Sequence, residues 1–164
     1  ANETALDVIT ADAHVRDVIL VMNSVRYTDT IDIDDLKEGY AQTVSSLQAA
    51  GKRVILLQQI PNIDMDAAQV AGFAIRWGKD LSKIGRSTED VREEAAEWNA
   101  YLHDMGGRAE EVVVVDPLPQ LCAKDLCPVG TEDQGSYYFN ESHVSMVGAR
   151  LLARDLLGHL EISN

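Results

Sequence analysis

Two polar stretches of this chain stand where a buried element gives way to solvent. His143 lies in Tyr137-Tyr138-Phe139-Asn140-Glu141-Ser142-His143, between a short aromatic run and an amphipathic helix of leucines and alanines. A histidine at such a junction sits at a rim and can face a substrate. Imidazole is the side chain suited to taking a proton near pH 7, as acyl chemistry at a serine hydroxyl requires. The other histidines, His14, His103 and His159, fall within or beside helices and lack such a setting. Asn23-Ser24-Val25-Arg26-Tyr27-Thr28 follows an aliphatic run, and open α/β sheets place ligands at the C-terminal edge of such strands. Ser24 and Ser136 are the serines nearest to strand ends.

Cys122 and Cys127 are the only cysteines. They are compatible with a small disulfide loop, two buried thiols, or half of a metal site. A zinc site usually needs four ligands, and there is no second cysteine pair. The segment from Asp116 to Pro128 reads as a loop in need of a staple, which favours the disulfide and with it an oxidising compartment. A loop this short should contribute at most about 3 kcal/mol.

The elements that must position these groups read as an alternation. Residues 1–14 carry the pattern of a helix tail. Asp17–Met22, Arg53–Gln58 and Glu111–Asp116 are short continuous aliphatic runs, the signature of strands buried on both faces. A helix over about 34–50 is expected, capped by Asp32 or Asp34, with Leu36, Tyr40, Val44 and Leu47 on its inner face and Gly51 at its end. Met65–Trp77 is a weaker helix, and Gly78 and Gly85 punctuate a loop. Ser87 opens a helix to about His103, with Val91, Ala95, Trp98 and Leu102 inward and Met105-Gly106-Gly107 as its stop. A last helix covers about 144–160. Strand, helix, strand, helix, strand, helix predicts an α/β fold, with parallel strands and helices on both faces.

At 164 residues, the chain is read as one domain, 1–164. Aromatics are only 5% of it, so its core must be mostly aliphatic. With 27 acidic and 14 basic residues its net charge is −13, a field that repels phosphate backbones and argues against nucleic acid as a partner. No apolar run approaches the roughly 20 residues that span a bilayer. The N-terminus lacks the layout of a signal peptide, so the chain as given is expected to be soluble, and it is compatible with a piece of a larger, membrane-attached protein.

Tyr138, Asn140, His143, Val144, Ser145, Gly148 and Ala149 carry a further implication. They resemble the Y-x-D-x-x-H-L-S-x-x-G-A block that ends members of the SGNH (GDSL-type) hydrolase and acyltransferase superfamily. The combined order is more specific: an aliphatic strand ending in Asp116-Pro117, the Cys122…Cys127 loop, then this block. It resembles the extracytoplasmic SGNH domain attached to membrane-bound acyltransferase-3 proteins, which O-acetylate cell-surface glycans in bacteria. Gln58-Gln59-Ile60-Pro61 fits a strand-to-proline segment of those domains.

The resemblance implies a three-layer α/β sandwich with a parallel sheet, similar to flavodoxin in layout. It makes His143 the catalytic base and puts Asn140 where the family has the aspartate that orients it. An asparagine accepts the same hydrogen bond through its carbonyl oxygen but brings no charge. The family's oxyanion-hole asparagine is matched by Asn23, and Arg26-Tyr27 is similar to an Arg-Trp pair found near it. The family's serine sits in a Gly-Asp-Ser turn after the first strand. This chain has neither Gly-Asp-Ser nor a Gly-x-Ser-x-Gly elbow, which implies that the first strand and the nucleophile precede Ala1. Neither metal nor organic cofactor is implied. The implied partners are a glycan acceptor and an attached membrane acyltransferase domain. Rival readings are a secreted carbohydrate esterase of the same fold and a non-catalytic glycan-binding or structural domain.

Overall fold

The computed structural model describes residues 2–28, 30–109 and 111–160. In chain order they form α1 (Asn2–Ala11), β1 (Asp17–Val21), α2 (Ser24–Tyr27), α3 (Ile33–Ala49), β2 (Arg53–Leu57) and α4 (Ala67–Arg76). A 3₁₀ turn (Leu81–Lys83), β3 (Gly85–Ser87), α5 (Thr88–Glu94), α6 (Ala96–Gly107), β4 (Val112–Val115) and α7 (Leu118–Leu121) follow. The chain closes with β5 (Leu126–Pro128), β6 (Gly130–Thr131), β7 (Gly135–Ser136) and α8 (Met146–His159). They fall into two compact units, one of residues 1–59 with 97–115 and one of 60–96 with 116–164.

The first unit holds the parallel sheet, in the order β1-β2-β4. Its register aligns Val18, Val54 and Val112 across the three strands. The three aliphatic runs of the sequence are these strands, because β-branched side chains pack well on a pleated surface. One face carries Val18, Val54, Leu56 and Val112 against Val44 and Leu47 of α3 and Trp98 and Leu102 of α6. Tyr40 meets Trp98 edge-on at 5.1 Å. The buried Lys52 donates to the carbonyls of Asp12 (2.6 Å) and Val15 (2.8 Å), tying the end of α1 to the start of β2.

β1 departs from the expectation of burial on both faces. It is an edge strand of this sheet, and Ile19 and Val21, on the face away from that core, are 38% and 55% exposed. A run of aliphatics reads the same in a central strand and at an edge. α3 begins as expected, with Asp32 accepting from the Asp34 amide at 2.8 Å. The helix expected from Ser87 to His103 is two helices, broken at Ala95, and the second runs through Gly106 to Gly107 instead of stopping at Met105. Ser87 caps the first as predicted, and Val91, Ala95, Trp98 and Leu102 are all buried.

The second unit packs α4, α7 and α8 with two small antiparallel ribbons, β3-β5 and β6-β7; α4 and α8 are the helices expected over Met65–Trp77 and about 144–160, and the sequence pattern announced neither ribbon. Gly85, expected in a loop, pairs with Pro128 in β3. Its core gathers Ile63, Leu81, Leu121, Val129, Tyr138 and Leu152. Arg86 holds the segment before α4 to α5 by reaching Asp64 (3.1 Å), Glu94 (2.6 Å) and the Asn62 carbonyl (3.1 Å). Cys122 and Cys127 are joined in a disulfide, whose buried Cys127 packs with Val91 and Leu118.

Candidate active site

In the second unit, the polypeptide from Tyr137 to Ser145 is a closed turn. The Phe139 amide donates to the His143 carbonyl at 2.7 Å, and Tyr138 and Val144 form an antiparallel bridge. Within the turn the Asn140 side chain accepts from the amides of Ser142 (3.1 Å) and His143 (2.9 Å), an Asx turn of the kind asparagine and aspartate favour. The same Oδ1 lies 3.0 Å from Nδ1 of His143. Two backbone N–H groups can only donate, so the atom they share is the amide oxygen. The ring must then present Nδ1–H to it, which leaves the Nε2 lone pair outward on an exposed side chain. The arrangement can accept a proton at Nε2 without turning the ring. Asn140, rather than the neighbouring Glu141 or Asp133, is the partner of this imidazole.

The turn is anchored from both sides. Ser145 caps α8 by accepting from Val147 (3.1 Å) and Gly148 (3.3 Å), and its hydroxyl donates to the Ser136 carbonyl at 2.6 Å. Gly148 is required by contact: a Cβ there would overlap the Tyr137 carbonyl oxygen. Tyr138 is buried with its hydroxyl unpartnered, and desolvation first, then the nearby Tyr137, pushes its ionisation well above the ordinary phenol value. The Ser136 hydroxyl is committed to the carbonyls of Tyr138 (2.7 Å) and Val129 (3.2 Å), so it is a structural group.

In the first unit, Asn23 caps the short α2 at the C-terminal end of β1. Its Oδ1 accepts from the Arg26 amide (3.3 Å) and from Nε2 of Gln59 (3.4 Å). Arg26 therefore meets Asn23 through its backbone, not its guanidinium. Gln59 is itself fixed: its Oε1 accepts from the backbone amide (2.8 Å) and hydroxyl (2.9 Å) of Ser24, and its backbone amide donates to Oδ1 of Asn99 at 3.1 Å. With Oδ1 of Asn23 held by two donors, the remaining polar atom of the side chain is Nδ2, a donor. Ser24 is buried and bonded to Gln59, so its hydroxyl is also structural. Sequence reasoning marked the Gln58-Gln59 segment without seeing its task. A buried glutamine pair closing an aliphatic strand was the available signal.

Asn140 and His143 are thus brought together in one unit, and Asn23 and Arg26 in the other. A surface cavity of about 800 Å³, lined by Ser87, Glu89, Arg92, Glu93, Ala96, Lys124 and Asp125, includes none of them.

The family described as "SGNH domain (fused to AT3 domains)" matches residues 1–158. The chain belongs to this family. No curated protein matches it. Among solved structures, this SGNH domain is similar to the periplasmic domain of a lipopolysaccharide acetyltransferase from Salmonella ser. Paratyphi A. The TM-score is 0.71 at 15% identity, over 96% of this chain and 61% of that one. It is also similar to a protein from Streptococcus pneumonia named after platelet activating factor, with a TM-score of 0.59 at 15% identity, over 90% of this chain and 60% of that one. The SGNH domain thus spans about three-fifths of the solved chains it resembles, and likeness at this identity establishes the α/β fold with its parallel three-stranded sheet. Among the described residues, no helix is long and apolar enough to cross a membrane.

Proposed function

We propose that this SGNH domain is the extracytoplasmic part of an O-acyltransferase that places an acyl group, most simply acetyl, on a hydroxyl of a cell-surface glycan. The observation that carries the reading is the 3.0 Å contact between Nδ1 of the exposed His143 and Oδ1 of Asn140, an oxygen that two backbone amides also hold. His143 is then the general base. It takes the proton of a serine hydroxyl as the serine attacks the acyl carbonyl, and returns it to the leaving group as the acyl-serine forms. It then takes the proton of the glycan hydroxyl that accepts the acyl group and restores it to the serine. Asn140 is a positioning residue for the ring. Asn23, donating through Nδ2, stabilises the oxyanion, and Arg26 sets its position through the backbone amide.

The serine belongs to sequence outside these 164 residues. Three features support this: the absence of a Gly-Asp-Ser turn, the structural commitment of Ser24 and Ser136, and the outer edge of β1, which pairs with no strand among the described residues. The fusion partner in the family's description supports a membrane acyltransferase domain that delivers the acyl donor and tethers the domain. The disulfide supports an oxidising, extracytoplasmic setting.

The test is turnover of p-nitrophenyl acetate by the full gene product, with acetyl transfer to glycan and to water measured separately. His143→Ala should lower turnover by about 10³-fold or more. Transfer to water alone would recast the protein as a carbohydrate esterase. The missing charge at Asn140 favours a second reading, a domain that binds glycan without turnover. Glycan binding that survives in a protein whose turnover ignores His143 would establish that reading instead.

A further inference from the structure

The helix α4 is built inside out. Its buried face is made of Ala67, Ala71 and Ala74, while the large side chains at its C-terminal end point away: Phe73 is 57% exposed, Ile75 73% and Trp77 68%. These are three of the bulkiest apolar groups in a chain with only two phenylalanines and two tryptophans. Residues 75–80 form a continuous exposed stretch.

The charge around them is also inverted. Between Phe73 and Lys83 three cations, Arg76, Lys79 and Lys83, face one carboxylate, Asp80, in a protein of net charge −13. The Asp80 carboxylate is turned onto its own backbone, accepting from the Ser82 amide (2.9 Å) and hydroxyl (2.6 Å). The remaining surface carries the acidic excess. The net positive charge of this segment suits a negatively charged partner, and apolar side chains and cations alternate along it.

We infer that the C-terminal end of α4 and the following turn, Phe73 to Lys83, form a docking surface for an anionic phospholipid bilayer. Phe73 and Ile75 enter the boundary between headgroups and acyl chains. Trp77 lies at the headgroup level, as tryptophans do, and Arg76, Lys79 and Lys83 meet the lipid phosphates. A sugar-binding platform fits less well. The Arg76 guanidinium already lies over the Trp77 ring, 5.8 Å from its centroid, and Ile75 has no planar face to stack on a sugar. The inference does not depend on the catalytic reading.

The test is flotation of the protein with vesicles of phosphatidylglycerol and phosphatidylethanolamine, and with vesicles of phosphatidylcholine, at low and physiological salt. Retention on the anionic vesicles alone is expected, weakening as salt rises. Each cation near an anionic leaflet is worth about fivefold in partitioning, so Lys79→Glu with Lys83→Glu should reduce retention by more than tenfold. Ile75→Ser should reduce it without changing the far-UV spectrum, because the side chain is exposed. Brominated lipid should quench the exposed Trp77 and spare the buried Trp98. Absence of retention on anionic vesicles overturns the inference, as does retention indifferent to both sets of variants. So does a glycan, or a second copy of the chain seen by analytical ultracentrifugation, that binds through Phe73 and Trp77 in place of lipid.

Discussion

Nδ1 of His143 and Oδ1 of Asn140 lie 3.0 Å apart, and the same oxygen is held by the amides of Ser142 and His143. The asparagine oxygen thus serves two backbone donors and the imidazole at once, without bringing a charge. In the protease case, where the acid-to-amide change costs about 10⁴ in turnover, the loss is attributed to the wrong tautomer. Here the backbone prevents the amide from turning its nitrogen to the ring.

Three outcomes follow for this pair. Neutral His143 should be found as the Nδ1–H tautomer by nitrogen NMR of its ring, and Asn140→Ala should shift it toward Nε2–H. In the full gene product, Asn140→Asp should raise turnover by about tenfold, because a charge-assisted bond to the imidazolium is roughly twice as strong as a neutral one. A neutral ring found in the other tautomer in the unmodified protein would remove the basis for assigning Asn140 its role.

Gln59 should prove expensive to replace. Gln59→Leu keeps the bulk but leaves the buried amide and hydroxyl of Ser24 unpartnered, at a cost of about 2–3 kcal/mol in urea unfolding. Gln59→Glu keeps the acceptor for Ser24 and removes the donor to Asn23, so it should lower turnover in the full gene product in the same direction as Asn23→Ala. If Gln59→Leu costs no more than a surface substitution, the network does not hold Asn23.

Gly148→Ala offers a test of packing against propensity. Alanine is the better helix former by about 1 kcal/mol, yet its Cβ would overlap the Tyr137 carbonyl, which already accepts from Ser145 at 2.9 Å. Net destabilisation of about 1–3 kcal/mol is expected, because backbone on both sides must move. Ala149→Gly, at the next position, is the control and should lose no more than about 1 kcal/mol.

Tyr40 and Tyr138 make the protein sensitive to alkali. Both have raised ionisation values, through desolvation first and then through Tyr101 and Tyr137 respectively. Below about pH 10 both folded and unfolded chains keep these protons, and their contribution is complete. Above it the unfolded chain releases protons that the native state retains, so stability falls as pH climbs toward the raised native values. Each tyrosine should contribute a slope of about 1.4 kcal/mol per pH unit in that window. Urea midpoints at pH 9, 10 and 11 measure it, and Tyr40→Phe should flatten the decline.

What was legible in the amino-acid order was whatever neighbours along the chain dictate. Asp32 and Ser87 announce helix starts because a cap bonds amides two or three residues away, and the three aliphatic runs announce strands because burial needs no partner identity. The block from Tyr138 to Ala149 was legible for the same reason: the Asn140 turn and the Ser145 cap are both local. Tertiary packing alone made β1 an edge strand, broke the helix at Ala95 and turned Phe73, Ile75 and Trp77 outward, since each depends on what the rest of the fold sets against those residues. Gln59 shows the limit most plainly. Its partners Ser24 and Asn99 lie 35 and 40 residues away, and no periodicity encodes a hydrogen bond across that distance.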